Sequence, residues 1–139
     1  MSELVPVHRS LFFKTRIAVH VWTWMARIFV AWRRLPLRTL VDELWVKTKH
    51  DGRFDEIPPR HLGGMVYDAL TIRGRGPRCL SLALVLFAIM RERGLDPSLV
   101  IGLPDGSQST DAHAWVELDG ADIGPPPGRG PNVELVRYP

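Results

Sequence analysis

The chain carries a single cysteine, Cys79, and 34 residues later a histidine, His113, within Asp111-Ala112-His113-Ala114-Trp115-Val116-Glu117. A thiol and an imidazole are the two groups that nucleophilic acyl transfer needs: the ring generates or holds the thiolate and then moves the proton. Cys79 opens an almost wholly apolar run ending at Met90, directly after a Gly/Arg/Pro loop expected to be flexible. A thiol on the first residue of a helix feels the positive end of the helix dipole, and Arg78 adds a neighbouring cation; both favour thiolate. The competing reading is structural, since free cysteines often serve as small buried hydrophobes. A lone strand histidine is also more often structural than catalytic. A helix-start cysteine, an intervening strand and a strand histidine in succession point to the reactive pair.

A third group would orient the ring. On an alternating strand His113, Trp115 and Glu117 share one face, while Ala112, Ala114 and Val116 share the other. Asp119-Gly120 signals a two-residue hairpin turn, which sets Asp122 opposite Glu117. Asp122 then lies on the face of His113 but four residues away, roughly 13 Å along the strand. It is the candidate third catalytic residue, provided a bulge or register change brings it to the ring. Asp111 is another acid on that face, and a dyad oriented by a backbone carbonyl is the remaining option. The backbone N–H of Cys79 is expected to help hold the oxyanion.

The elements that must position these groups follow from periodicity. Residues 11–34 predict a helix that is apolar over most of its circumference, with Arg16, His20, Thr23, Arg27 and Arg34 tracing one narrow polar stripe. Its aromatic residues exceed what one small core can use. Trp22, Phe29 and Trp32 are therefore candidate contacts for a partner protein or a peptide. Leu35-Pro36 ends this helix, and a second runs from Leu37 through Trp45. A third follows Pro58-Pro59 with Leu62, Met65, Val66, Ala69 and Leu70 inward, its first turn weakened by Gly63 and Gly64. The run from Cys79 is closed by Arg93-Gly94 and is apolar all round, the pattern of a central helix. Leu99–Leu103, Ala112–Leu118, a short segment from Ala121, and Val133–Val136 read as strands. Helices followed by a small antiparallel sheet define an α+β fold. The chain is read as one domain over 1–139, with a helical partner-binding region at 1–50 and a catalytic core at 59–139.

With 139 residues, 45% apolar, 24% charged and a net charge of +3, the composition is that of an ordinary globular domain. One cysteine permits no internal disulfide and nearly excludes a thiolate zinc site, so a reducing, cytoplasmic setting is expected, with no metal or other cofactor. Only ten residues separate Arg16 from Arg27, against the roughly 20 that a spanning helix needs. Nucleic-acid binding is not expected, because the arginines of the first third interleave with core-type residues. Attachment of residues 11–34 to a membrane surface is a lesser alternative.

Three segments together resemble the transglutaminase-like leader peptidases of lasso-peptide biosynthesis. They are Cys79-Leu80 through Arg93-Gly94, Val100-Ile101-Gly102, and Ala112-His113-Ala114-Trp115-Val116-Glu117 through Asp119-Gly120. The likeness covers residues 60–124, and the Leu35-Pro36-Leu37-Arg38 turn shares it less specifically. The resemblance implies a transglutaminase-like, papain-like core in which a cysteine peptidase removes the leader from a ribosomally made (RiPP) precursor peptide. It also implies the short form, which works with a separate leader-binding protein, the RiPP recognition element, ahead of an ATP-dependent lasso cyclase. That family's third catalytic residue is an aspartate further along, where this chain has Gly124-Pro125; Asp122 is the nearest acid. The alternatives are amide transfer on the same fold, or a binding subunit without activity.

Overall fold

The computed structural model describes residues 11–48, 56–104, 112–123 and 132–138. Four helices precede four strands: α1 (Leu11–Trp32), α2 (Leu37–Lys47), α3 (Pro59–Leu70), α4 (Cys79–Glu92), β1 (Ser98–Pro104), β2 (His113–Leu118), β3 (Ala121–Asp122) and β4 (Asn132–Tyr138). The α+β reading therefore holds. Asp111, Gly124 and Pro125 lie outside the described residues.

Helix α4 sits at the centre. Nine consecutive residues, Leu82 to Met90, are buried, so the helix has no solvent side over more than two turns. Helices α1, α2 and α3 pack against it, and the sheet takes the rest, chiefly through β2. On α1, Ile17, Val21, Trp24 and Ile28 are buried, the i, i+4, i+7, i+11 series of one helical face. On α2, Leu40, Val41 and Leu44 do the same. Trp45 adds a ring stacked obliquely on Phe87, centroids 6.1 Å apart. The Arg91 guanidinium lies 3.9 Å from the centre of the Trp45 ring and donates to the Trp45 carbonyl, a cation–π contact that fastens α2 to the end of α4.

The expected polar stripe of α1 is not uniformly solvated. His20 is turned inward, its Nε2 2.6 Å from Glu92 Oε1, with both side chains only 12% exposed. This pair ties the middle of α1 to the last turn of α4, because the stripe runs along the margin of the buried face. The loop before Cys79 contains a tight turn. Ile72 and Arg75 exchange backbone hydrogen bonds of 2.9 Å across Arg73 and Gly74, whose φ angles of 52° and 80° define a type I′ turn.

The sheet has the order β3-β2-β1-β4, every neighbouring pair antiparallel. Asp119 (φ 52°) and Gly120 (φ 82°) form the type I′ turn between β2 and β3, as the Asp-Gly pair predicts. Between β1 and β4 the register slips by one: Ile101 faces Val136, whereas Gly102 faces Glu134. Leu135 is the extra residue, a β-bulge.

Gly63 of α3 lies against the end of the β2–β3 hairpin, where a Cβ would run into the Ile123 carbonyl oxygen, while a Cβ on Gly64 would meet nothing. The two glycines that weaken this helix by propensity thus differ in kind. Gly63→Ala is expected to destabilise the fold by about 1–3 kcal/mol through overpacking. Gly64→Ala should stabilise it by about 0.5–1 kcal/mol, because alanine is the better helix residue. Thermal denaturation of the two variants side by side checks both; equal shifts would show that α3 does not dock through Gly63.

Candidate active site

Cys79 is the first residue of α4 and is partly exposed. Arg78 at the N-cap has extended backbone and makes no side-chain capping bond; its carbonyl accepts the first helical bond, from Leu82 N–H. The N–H groups of the first turn therefore project from the helix end beside the thiol. The backbone leading to Cys79 is held from beneath: a Cβ on Gly76 would strike the Tyr67 hydroxyl, so the phenol of α3 lies directly on the chain three residues before the cysteine. Tyr67 was not singled out by its sequence pattern, since it falls beside rather than on the inward series of α3. Its spacing of four from Gly63 was the available signal.

Two facts set where His113 lies relative to Cys79. The link from α4 to β1 is only a few residues long, from Arg93 to Pro97, so helix and strand must run antiparallel. The far end of β1 then approaches the start of α4, and at that end Gly102 pairs with His113. A shared level midway gives the scale. The Gly63 notch touches both Ile123 and Leu86, and Ile123 N–H donates to the Val116 carbonyl at 3.0 Å. From that level Cys79 is seven residues back along α4, about 10 Å at the helical rise. His113 is three residues back along β2, also about 10 Å. Both lie toward the same end of the helix–sheet unit, Cys79 at the start of α4 and His113 at the start of β2, where alternation sets His113 on the face of Trp115 and Glu117.

Asp122 is placed elsewhere. It pairs with Glu117, and Leu118 pairs with Ala121, a regular hairpin register that continues into the Ile123 bond. The bulge that would carry Asp122 toward His113 is not present between these strands. Asp122 accordingly lies four residues along β2 from His113, and its carbonyl accepts from Arg60 of α3 at 3.3 Å. Trp22, Phe29 and Trp32 are all more than a third exposed on α1. Trp22 is nonetheless anchored, its indole N–H donating to the Ala69 carbonyl at 2.9 Å.

Alternation along β2 sends Ala114 and Val116 into the core. Trp115 and Glu117 occupy the opposite face and there form a cluster that the sequence did not reveal. The Trp115 indole donates to Glu117 Oε2 at 2.7 Å, and Arg137 of β4 donates to Glu117 Oε1 at 3.0 Å and to Glu134 Oε1 at 2.8 Å. Val100 lies between Trp115 and Arg137 in the register and is fully buried. The cluster thus closes the second face of the sheet. Hydrogen bonding from Arg137 holds the Glu134 carboxyl below its ordinary value, outweighing desolvation, with further help from the Arg137 charge. The same partners raise Arg137. Among the described residues no three His, Cys, Asp or Glu side chains are grouped to hold a metal ion.

A family model described as the transglutaminase-like superfamily matches residues 20–132. The chain belongs to the transglutaminase-like superfamily. This superfamily includes cysteine peptidases and transferases. No curated protein and no solved structure matches the chain. The matched span opens within α1 and closes at the start of β4, so α2 and most of α1 belong to the superfamily unit, beyond the 60–124 segment on which the resemblance rests. No helix among the described residues is long and apolar enough to cross a membrane.

Arg137→Ala is expected to lower the melting temperature by a few degrees, because Val100 loses cover and Glu117 loses a donor. A carboxyl whose pKa is depressed in the fold contributes above its ordinary value, 4.5 for Glu134, and the contribution fades as pH falls through the folded value. The gap between wild type and Arg137→Ala should therefore narrow in acid. Melts between pH 3 and 8 check this, and a gap independent of pH would assign the effect to packing alone.

Proposed function

We propose that this chain is a cysteine peptidase that removes the leader from a ribosomally synthesised precursor peptide of the lasso type. What supports the reading is that Cys79 opens α4, with no side-chain cap, and His113 opens β2, in a chain of the transglutaminase-like superfamily. In this scheme the Cys79 thiolate attacks the carbonyl carbon of the leader–core bond. The N–H groups of the first turn of α4 receive the developing oxyanion. The His113 imidazolium protonates the departing amine, which leaves an acyl-thioester on Cys79. The neutral imidazole then takes a proton from water, whose oxygen attacks the thioester and returns the free thiol.

A thiolate needs less assistance than an alkoxide, so the pair can act as a dyad while Asp122 serves the hairpin. The precursor is presented by a separate leader-binding protein, with Trp22, Phe29 and Trp32 as contacts, in the cytoplasm and ahead of an ATP-dependent cyclase. A second reading, a binding subunit without hydrolysis, is favoured by one observation: the regular register that keeps Asp122 opposite Glu117.

The single cysteine makes the test direct. Alkylation followed by intact mass across pH 4 to 10 should show wild-type Cys79 reacting well below the unperturbed thiol value of about 8.5, with His113→Ala shifting the profile back toward it. With precursor and leader-binding protein added, Cys79→Ala should abolish cleavage, and Asp122→Asn should cost less than about tenfold, below the usual contribution of an acid–base group. An inert thiol in the reconstituted complex would decide for the binding subunit. A loss near a thousandfold in Asp122→Asn would restore Asp122 to the catalytic set.

A further inference from the structure

Helix α1 carries two apolar seams on opposite sides. The inner one, Ile17, Val21, Trp24, Ile28 and Ala31, advances in alternating steps of four and three and is spent on the core. The outer one, Val19, Trp22, Ala26 and Phe29, advances in steps of three and four, the spacing by which one helix receives another, and Arg33 follows at the same spacing just past the helix end. Val19 is 61% exposed, and Phe29 and Val30 are each 53% exposed. Beside this seam lies a hollow of about 560 Å³, lined by Ala26, Arg27, Val30, Ala31, Arg34 and Leu35. Its alanines leave room for the ridge of side chains that a helix presents.

Charge selects the occupant. Residues 4–41 contain seven Lys or Arg and no Asp or Glu. Arg34 borders the hollow, and the Arg33 guanidinium lies 5.0 Å from the centre of the Phe29 ring, within the seam. A second copy docked here would set arginine against arginine, which disfavours self-pairing. A lipid surface offers no ridge to fill the hollow. We propose that the outer seam of α1 docks an amphipathic helix of another protein, one with small and aliphatic residues along its ridge and Asp or Glu on its flanks. The inference deepens the partner contact proposed above for Trp22 and Phe29 and rests on that reading, but it does not depend on the chemistry at Cys79.

The test uses the whole chain and two synthetic four-heptad helical peptides, both with Leu and Ala in the seam, one flanked by Glu and its twin by Lys. Fluorescence anisotropy of the labelled peptides should show the Glu peptide binding at least about tenfold more tightly, with affinity falling as salt screens the contact. Ala26→Glu should abolish binding, and Arg33→Glu combined with Arg34→Glu should reverse the preference; all three positions face outward, and melting curves verify that the variants fold. Cys79→Ala should bind like wild type, which separates this result from any failure of the catalytic scheme. Equal affinity for the twins, no binding of the Glu peptide, or indifference to Ala26→Glu would overturn the proposal. So would sedimentation showing self-association abolished by Ala26→Glu, or capture by phosphatidylcholine–phosphatidylserine vesicles abolished by it; these would assign the seam to a second copy or to a lipid surface.

Discussion

The burial of α4 on every side is the constraint from which the rest of the structure follows. A helix with nine consecutive buried residues has no polar face to offer water, and each large side chain left uncovered would forfeit about 1.5–3 kcal/mol. Cover has to come from several directions at once. Three helices supply it on one side and a sheet on the other, which is why the helical first third belongs to the same hydrophobic cluster as the strands. Only its two ends are partly open, and at its start the Cys79 thiol is partly exposed.

Much of this was readable from the sequence because the governing patterns are local. The apolar run after Cys79, the Pro36 and Pro59 helix starts, and the Asp119-Gly120 turn each encode their geometry within a few residues, and the structure follows them to within a residue or two. The β2–β3 register could be counted from the turn alone, and Asp122 falls opposite Glu117 as that count requires. Other features could not be found this way because they join residues far apart in the chain. His20 looks like one more member of a solvated stripe until Glu92 is seen beside it. Tyr67 acquires a role only through Gly76. Trp115 and Glu117 read as residues of a site segment, whereas their bonds to each other and to Arg137 make them a lid over Val100. The turn before Cys79 was not legible for another reason: Arg73 adopts a left-handed φ that arginine seldom takes.

The site and the fold are coupled through α3. Its Gly63 end notches onto the β2–β3 hairpin while its Tyr67 supports the approach to Cys79. One rigid helix thereby references the strand that carries His113 and the loop that carries Cys79.

The Leu135 bulge has a consequence for how the molecule behaves among its own kind. Strand β4 forms one border of the sheet, and its Leu135 and Val136 side chains are open to solvent. A straight border of that composition would invite further strands to add, the first step toward fibrous assembly. With one residue too many at its centre, β4 offers its outward amides and carbonyls out of phase with any straight chain laid alongside. The kink therefore caps the sheet and helps keep the molecule from polymerising.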